Sequence, residues 1–153
     1  MPPVRVLIVD DDPTVSFLCC EIFRDIGFEV VPVYCAAAAF QALDGDATLS
    51  ALVTDIELGG GPDGFAVARR ARIANPQLPV VYISGTAAAR HRSEGVERSE
   101  FVQKPFGPPE IVEALGRARC ETAPRAVSAE DPGRRLAMAN ATGLLTTGSS
   151  DWA

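Results

Sequence analysis

Long hydrophobic runs are absent from this 153-residue sequence, in which no apolar stretch approaches the roughly 20 residues that a helix needs to cross a bilayer. The N-terminus also lacks the charged and then apolar pattern of a secretory signal. We therefore expect a cytoplasmic protein that does not have a membrane as a partner.

Positive charge is scarce as well. The chain carries 14 Lys and Arg against 20 Asp and Glu, a formal net charge of −6, and its arginines are scattered along the sequence. A nucleic-acid-binding surface needs basic residues clustered against phosphates. This composition therefore argues against direct binding of nucleic acid.

Histidine and cysteine are too few, and too far apart, to build a zinc site. The single histidine is His91, and the cysteines are Cys19, Cys20, Cys35 and Cys120, without a C-x-x-C pair. We expect the thiols to be reduced, mostly buried and similar to small hydrophobic groups in their packing. His91 lies in a polar, basic stretch, which is more typical of an exposed loop or helix residue than of a catalytic one.

Short apolar runs alternate five times with segments of helical periodicity. The runs cover residues 4–9, 28–33, 51–54, 78–83 and 100–103. Parallel neighbours need crossover connections, so this alternation predicts a doubly wound α/β domain, a five-stranded parallel sheet with helices on both faces. The expected strand order is 2-1-3-4-5, that of a flavodoxin-like fold.

The first helix has a defined start and a predicted core face. Asp12 is its expected N-cap and Pro13 its first residue, where the missing N–H costs nothing. Helical spacing predicts a buried stripe made of Val15, Leu18, Cys19, Ile22 and Ile26. Comparable spacing predicts further helices over residues 36–43, 63–74 and 108–121.

Segment 87–100 has a poor helical pattern, with three alanines, mixed charges and Gly95, and predicts a short, loosely held helix. Thr86 is the expected N-cap of that helix, and Asp63 is the expected N-cap of the helix before it.

The predicted domain covers residues 1–121 and is followed by a segment, 122–153, whose composition cannot build a second core. We expect this segment to be a flexible tail. Residues 136–145 are expected to form a short amphipathic helix only when a partner is there to bind it.

Polar side chains follow or end four of the predicted strands. They are Asp10 and Asp11, Asp55 before a loop of glycines, Ser84, and Lys104. In an open α/β sheet, ligands bind outside the carboxyl ends of the strands, and the expected strand order brings these side chains onto one rim. Three carboxylates so close repel one another unless a hard cation binds, and Mg²⁺ fits such a small set of oxygens better than Ca²⁺ does.

A carboxylate between a metal ion and a lysine can attack phosphorus and form an acyl phosphate. Asp55 is the expected nucleophile, because it lies centrally on the rim. Mg²⁺ and Lys104 would neutralise the phosphoryl oxygens, while the Ser84 hydroxyl would donate a hydrogen bond to one of them.

Over about residues 4–120, the chain resembles the receiver domain of two-component response regulators, of the single-domain, CheY-like type. The motifs that carry this resemblance are V-D-D-D-P after the first strand, T-D-I-E-L and then D-G-F after the third, S-G-T after the fourth and K-P-F after the fifth. The resemblance implies a signalling switch phosphorylated by a sensor histidine kinase or a phosphotransfer protein. Its output would be altered contact with a downstream protein, or with a second copy in a homodimer.

The resemblance also implies a metal set and a phosphoacceptor. Asp55 would accept the phosphoryl group, and Asp10, Asp11, Asp55 and the main-chain carbonyl of Glu57 would hold Mg²⁺. Lys104 would pair with the phosphoryl group.

The same resemblance implies which residues would move on phosphorylation. Ser84 would be the switch hydroxyl, and Phe101 would take the aromatic switch position, where many relatives have tyrosine. Phe101 is also consistent with a simple core residue. The Lys104–Pro105 peptide bond would be cis.

Two other interpretations fit parts of the pattern. D-x-D-x-T, from Asp10 to Thr14, also fits a haloacid-dehalogenase-like Mg²⁺ phosphatase, with Asp10 as nucleophile and Asp12 as acid/base. That interpretation needs a further strand ending in an acidic pair, and it leaves Asp55 without a role. The second of these interpretations is a receiver-like module that binds partners without being phosphorylated. The complete set of site residues argues against it.

Overall fold

Five parallel strands form the sheet around which the described residues of the computed structural model, 3–122, are arranged. In chain order they are β1 (Arg5–Val9), β2 (Glu29–Val33), β3 (Ala51–Asp55), β4 (Val80–Ser84) and β5 (Ser99–Gln103). The order across the sheet is β2-β1-β3-β4-β5, and every neighbouring pair is parallel. The predicted flavodoxin-like α/β architecture is therefore confirmed.

Five helices connect and follow the strands. They are α1 (Pro13–Asp25), α2 (Ala36–Gly45), α3 (Gly64–Ala74), α4 (Ala88–Glu94) and α5 (Pro108–Thr122). Three of these helices begin where a side chain satisfies a free backbone N–H, the usual role of an N-cap. Asp12 caps α1 and Asp63 caps α3, as predicted, while the Cys35 thiol accepts a hydrogen bond from Ala38 N at the start of α2.

Both faces of the sheet are buried, so the central strands are apolar over most of their length, and β3 and β4 turn polar only at their carboxyl ends. One face packs against α2 and α3 through Leu7, Val9, Leu52, Val80 and Tyr82. The other packs against α1 and α5 through Val6, Ile8, Val53, Val81 and Ile83. This double burial holds the carboxyl ends of β1 and β3, where the acids lie, in a fixed place.

The core face of α1 differs from the predicted stripe. Cys19 and Ile22 are buried as expected, but Leu18 and Ile26 are 41% and 46% exposed, so their prediction was wrong. Phe23 is fully buried instead. The buried face of α1 consists of Ser16, Cys19, Cys20, Ile22 and Phe23. Periodicity alone could not distinguish this face from the predicted one, because both carry apolar residues.

The thiols and the histidine also depart from expectation. Cys19 and Cys20 are buried, but Cys35 and Cys120 are exposed, so the thiols are not mostly buried. His91 is half-buried rather than exposed, because its ring packs between Tyr82 and Phe101.

Helix α4 is short, as predicted, and none of its residues is buried. Thr86 is not its N-cap: the cap position is Ala87, which offers no side-chain hydrogen bond. The Ser84 hydroxyl instead accepts hydrogen bonds from Thr86 N and Ala87 N, at 3.1 and 3.2 Å.

The predicted tail, residues 122–153 with a helix over 136–145, lies outside the described residues except for Thr122, which ends α5. Between residues 3 and 122, no helix combines the length and the hydrophobicity that a bilayer crossing requires.

Candidate functional site

Three carboxylates meet at the carboxyl edge of the sheet. Val9 of β1 pairs with Thr54 of β3, so the residues that come next, Asp10 and Asp55, lie side by side. One carboxylate oxygen from each of Asp10, Asp11 and Asp55 lies within 4.8 Å of the other two. Asp10 and Asp55 are buried, and Asp11 is exposed. The cluster therefore opens to solvent on the side of Asp11.

Backbone hydrogen bonds fix the position of Asp10. Its N–H donates to the carbonyl oxygen of Val33 at 3.2 Å, which extends the pairing of β1 with β2 by one residue. Its Oδ1 accepts a hydrogen bond from Asp12 N at 2.8 Å. Its Oδ2 is buried and accepts no hydrogen bond from the described residues.

Lys104 reaches the acids from β5. Its Nζ donates a hydrogen bond to Asp55 Oδ2 at 3.2 Å and lies 3.2 Å from Asp10 Oδ2, an ion pair without hydrogen-bond alignment. Its main-chain N–H donates to Ser84 O, and its peptide bond to Pro105 is cis, as the resemblance implied. Lys104 is also the only lysine in the sequence.

Electrostatics link the lysine to the two buried acids. Burial raises the pKa of Asp55, the negative charge of Asp10 raises it further, and Lys104 opposes both, with a result of about 6. Burial lowers the pKa of Lys104, but the charges of Asp10 and Asp55 outweigh it and raise that pKa overall. At neutral pH the cluster is therefore anionic, with one cation that only partly balances it.

The acid cluster fits a divalent hard cation. Two buried oxygens, Asp10 Oδ2 and Asp55 Oδ1, accept no hydrogen bond from the described residues. A buried oxygen of this kind is costly unless a cation or water satisfies it. Asp11 Oδ2 lies 3.7 Å from the position that a Cβ would take on Gly59, so a side chain at this position would contact the exposed acid. Carboxylate oxygens in such a small set suit Mg²⁺.

Ser84, at the end of β4, uses its full hydrogen-bonding capacity. Its Oγ donates to Glu57 Oε1 at 2.9 Å while accepting from Thr86 N and Ala87 N. A hydroxyl has one proton to donate and two lone pairs, so no further partner can be added. The sequence suggested a role only for the Glu57 main-chain carbonyl, and it missed the contact of the Glu57 side chain.

Gly64 is a second residue whose role the sequence did not reveal. A Cβ at this position would lie 2.1 Å from the carbonyl oxygen of Asp55, and the Gly64 N–H donates to Ile56 O at 2.8 Å. Only glycine lets the start of α3 approach the main chain of Asp55 so closely. The D-G-F motif contained this signal, in the glycine that directly follows a helix cap.

Phe101 lies on β5 and is half-buried against the core. Its ring stacks on His91, with centroids 5.7 Å apart and an interplanar angle of 25°, and His91 in turn lies 5.3 Å from the ring of Tyr82. This row of three rings connects α4 to the sheet. The switch role of Phe101 stays a prediction.

The geometry does not favour the phosphatase interpretation. Asp12, its expected acid/base, uses Oδ1 to accept a hydrogen bond from Thr14 N at 2.9 Å, as an N-cap does. Among the five strands of residues 3–122, none after β3 ends in an acidic pair. Lys104 lies 3.2 Å from both Asp10 and Asp55, but its hydrogen bond goes to Asp55, which that interpretation leaves unused.

Comparison with known proteins gives a consistent result. The family model for the response regulator receiver domain matches residues 6–116. A response regulator receiver protein from Sinorhizobium medicae is 35% identical, with a TM-score of 0.76 over 79% of this chain and 98% of its own. The transcriptional regulatory protein TcrA of Mycobacterium tuberculosis is 31% identical over 114 residues, which are 73% of this chain and 44% of TcrA.

One further solved structure is similar in fold. It is the receiver domain of the sensor histidine kinase PA1611 from Pseudomonas aeruginosa, which holds a magnesium ion in its active site cleft. It is 20% identical, has a TM-score of 0.66, and the match covers 78% of this chain and 99% of that one. The present chain spans less than half the length of the curated relatives that it matches.

Proposed function

This chain belongs to the response regulator receiver domain family of two-component systems, and on that premise we propose that it is a phosphorylation switch whose phosphoacceptor is Asp55. The observation that carries the proposal is the state of the Asp55 carboxylate. One oxygen is bonded to Lys104, the other is buried and accepts no hydrogen bond from the described residues, and the carboxylate belongs to the acid cluster.

The proposed reaction takes a phosphoryl group from a phosphohistidine of a sensor histidine kinase or a phosphotransfer protein. Asp55 Oδ1 attacks phosphorus, a P–O bond forms, and the P–N bond to the donor's imidazole breaks. The electron pair leaves with the imidazole, which takes up a proton. Hydrolysis of the acyl phosphate then returns Asp55 to its free form.

Asp10, Asp11 and Asp55, with the main-chain carbonyl of Glu57, are the proposed ligands of Mg²⁺. Each of the two buried acids has an oxygen that accepts no hydrogen bond from the described residues, which supports this assignment, and the PA1611 receiver domain holds magnesium in its cleft. Bound there, the ion would neutralise negative charge on the phosphoryl oxygens. Lys104 would supply the second positive charge, and it is already held beside Asp55 by an ion pair.

The proposed output is a change of protein surface. A phosphoryl group adds about −1.5 to −2 charge and three acceptor oxygens. Ser84 and Lys104 would be drawn toward it, and Phe101 with α4 would follow. The recipient would be a downstream protein or a second copy of the chain, in the cytoplasm.

A small phosphodonor tests the proposal. The protein is incubated with phosphoramidate, with and without Mg²⁺, and any added phosphoryl mass is located by peptide mass spectrometry. We expect Mg²⁺-dependent labelling at Asp55 and its loss in Asp55→Asn. Asp44→Asn is the matched control, because Asp44 is an exposed acid of α2 outside the site.

Two results would contradict the proposal. Labelling at Asp10 would favour the phosphatase interpretation, and a protein that stays unlabelled while folded would favour a module that binds without phosphorylation. Circular dichroism of each variant establishes that the fold is intact.

A further inference from the structure

The Ser84 hydroxyl has only one proton, and Glu57 already uses it. The donor is fully buried on β4, whereas Glu57 is exposed in the loop after Asp55. The distance from Ser84 Oγ to Glu57 Oε1 is 2.9 Å, and the acceptor is a carboxylate, which makes this a charge-assisted hydrogen bond. A phosphoryl group on Asp55 would compete for the same proton.

The hydrogen bonds that the Ser84 hydroxyl accepts show which part of the structure would move when Ser84 changes partner. Ser84 Oγ accepts from Thr86 N and Ala87 N, the two backbone groups that lead into α4. When Ser84 turns from Glu57 toward Asp55, its lone pairs turn as well. The bonds that hold the start of α4 must then be broken or remade.

We propose that the Glu57 side chain is a positioning residue that holds the Ser84 hydroxyl in the resting state and must be displaced before the domain switches. This inference rests on the proposed function. Glu57 acts through Ser84 and has no part in the chemical step. Its carboxylate is an internal substitute for the phosphoryl oxygen that would later take the same hydrogen bond, so it favours the resting conformation.

Beryllium trifluoride, a phosphoryl mimic, provides the first test at saturating Mg²⁺. Removal of the competitor in Glu57→Ala is expected to tighten its binding by about 3- to 10-fold, the scale of one partly exposed charge-assisted hydrogen bond. Glu57→Gln loses the charge but keeps an oxygen that can accept from Ser84, so its effect should be smaller. Mg²⁺ affinity is measured separately for each variant, so that a change in metal binding is not mistaken for release of Ser84.

Measurements in a Ser84→Ala background distinguish a role of Glu57 through the Ser84 hydroxyl from simple charge repulsion by Glu57. Without the hydroxyl there is nothing for Glu57 to hold, so adding Glu57→Ala to Ser84→Ala should change affinity much less than it does in the wild type. An equal change in both backgrounds would mean that Glu57 acts only by charge repulsion, and the proposal would be overturned.

A second measurement needs neither a phosphoryl group nor the Ser84 variant. In Glu57→Ala without any ligand, the amide signals of Thr86 and Ala87 should move toward their positions in the mimic-bound wild type. Unchanged signals would contradict the proposal even if Asp55 is labelled normally. Absence of labelling at Asp55 would instead contradict the proposed function.

Discussion

The acid side of the site and the side around α4 are held in place by different interactions. Strand β1 is buried from Val6 to Val9 and β3 from Ala51 to Asp55, so packing on both faces fixes the acids at the ends of these strands. In β5, only Val102 is buried, and α4 buries no residue. In this molecule the charged pocket therefore rests on apolar strands buried on both faces, whereas α4 is attached by a few polar and aromatic contacts.

The contacts of α4 illustrate the second kind of attachment. Arg90 pairs with Asp63 and with Glu94, and its guanidinium lies 5.0 Å from the ring centroid of Phe65. Val96 N, just beyond the helix, donates to the hydroxyl of Tyr82 at 3.0 Å. Such contacts are individually weak and can exchange partners, which suits an element expected to move.

The largest effect should come from the apolar side. Phe23→Ala removes a fully buried ring beneath β1, and the free energy of unfolding should fall by about 3–5 kcal/mol. Phe17→Ala on the same helix is the control, since Phe17 is 66% exposed and should change stability by at most about 0.5 kcal/mol. Urea denaturation measures both, and equal losses would mean that α1 packs through another face.

Gly64→Ala should have the next largest effect, a loss of about 1–3 kcal/mol, because the new Cβ would collide with the main chain of Asp55. Backbone atoms cannot move aside as a flexible side chain can. Gly60→Ala, in the same loop, is the control, since a Cβ there meets nothing within 4 Å. Thermal unfolding compares the two, and a tolerated Gly64→Ala would show that the start of α3 is not tightly held.

The pH dependence of the stability of the metal-free protein tests whether burial raises the pKa of Asp55. The folded-state pKa of Asp55 is raised from 3.8 to about 6, so the folded state binds the proton more tightly and stability rises as pH falls from 6 toward 4. Relative to Asp55→Asn, the wild type should gain about 1–2 kcal/mol between pH 7 and pH 4.5, less than the full shift implies, because water reaches the pocket beside Asp11. Parallel pH profiles of the two proteins would refute this. Mg²⁺ affinity should weaken below about pH 6.

The smallest effect on global stability is expected on the α4 side. Arg90→Gln breaks contacts that are largely exposed, so the unfolding midpoint should hardly change while amide hydrogen exchange in α4 becomes faster. Arg92→Gln is the control, because Arg92 is on the same helix, exposed, and has no ion pair within residues 3–122. Similar exchange in both variants would show that Arg90 does not attach the helix.

The sequence predicted best what depends on local signals. Apolar runs located the five strands, and Asp12 and Asp63 were correct as N-caps, because a cap needs only its own next few residues. Strand order then brought Asp10, Asp55 and Lys104 to one edge, since the carboxyl ends of parallel strands share it.

The sequence failed where a position depends on residues far along the chain. Leu18 and Phe23 are both apolar, and only the packing of α1 on the sheet decides which of them is buried. His91 looked like a surface residue, since its neighbours in sequence are polar while its neighbours in space are Tyr82 and Phe101. The bond from Ser84 to Glu57 joins residues 27 positions apart, and no local pattern encodes it.

The presence of a single lysine gives this chain a spectroscopic advantage. Reductive methylation with ¹³C-formaldehyde would label Lys104 and the terminal amine of the chain, and no arginine would react. One of the two resulting methyl signals would then come from the ammonium group that faces Asp10 and Asp55. The arrival of a metal ion, a phosphoryl group or a mimic could be followed through that signal alone, without assigning the rest of the spectrum.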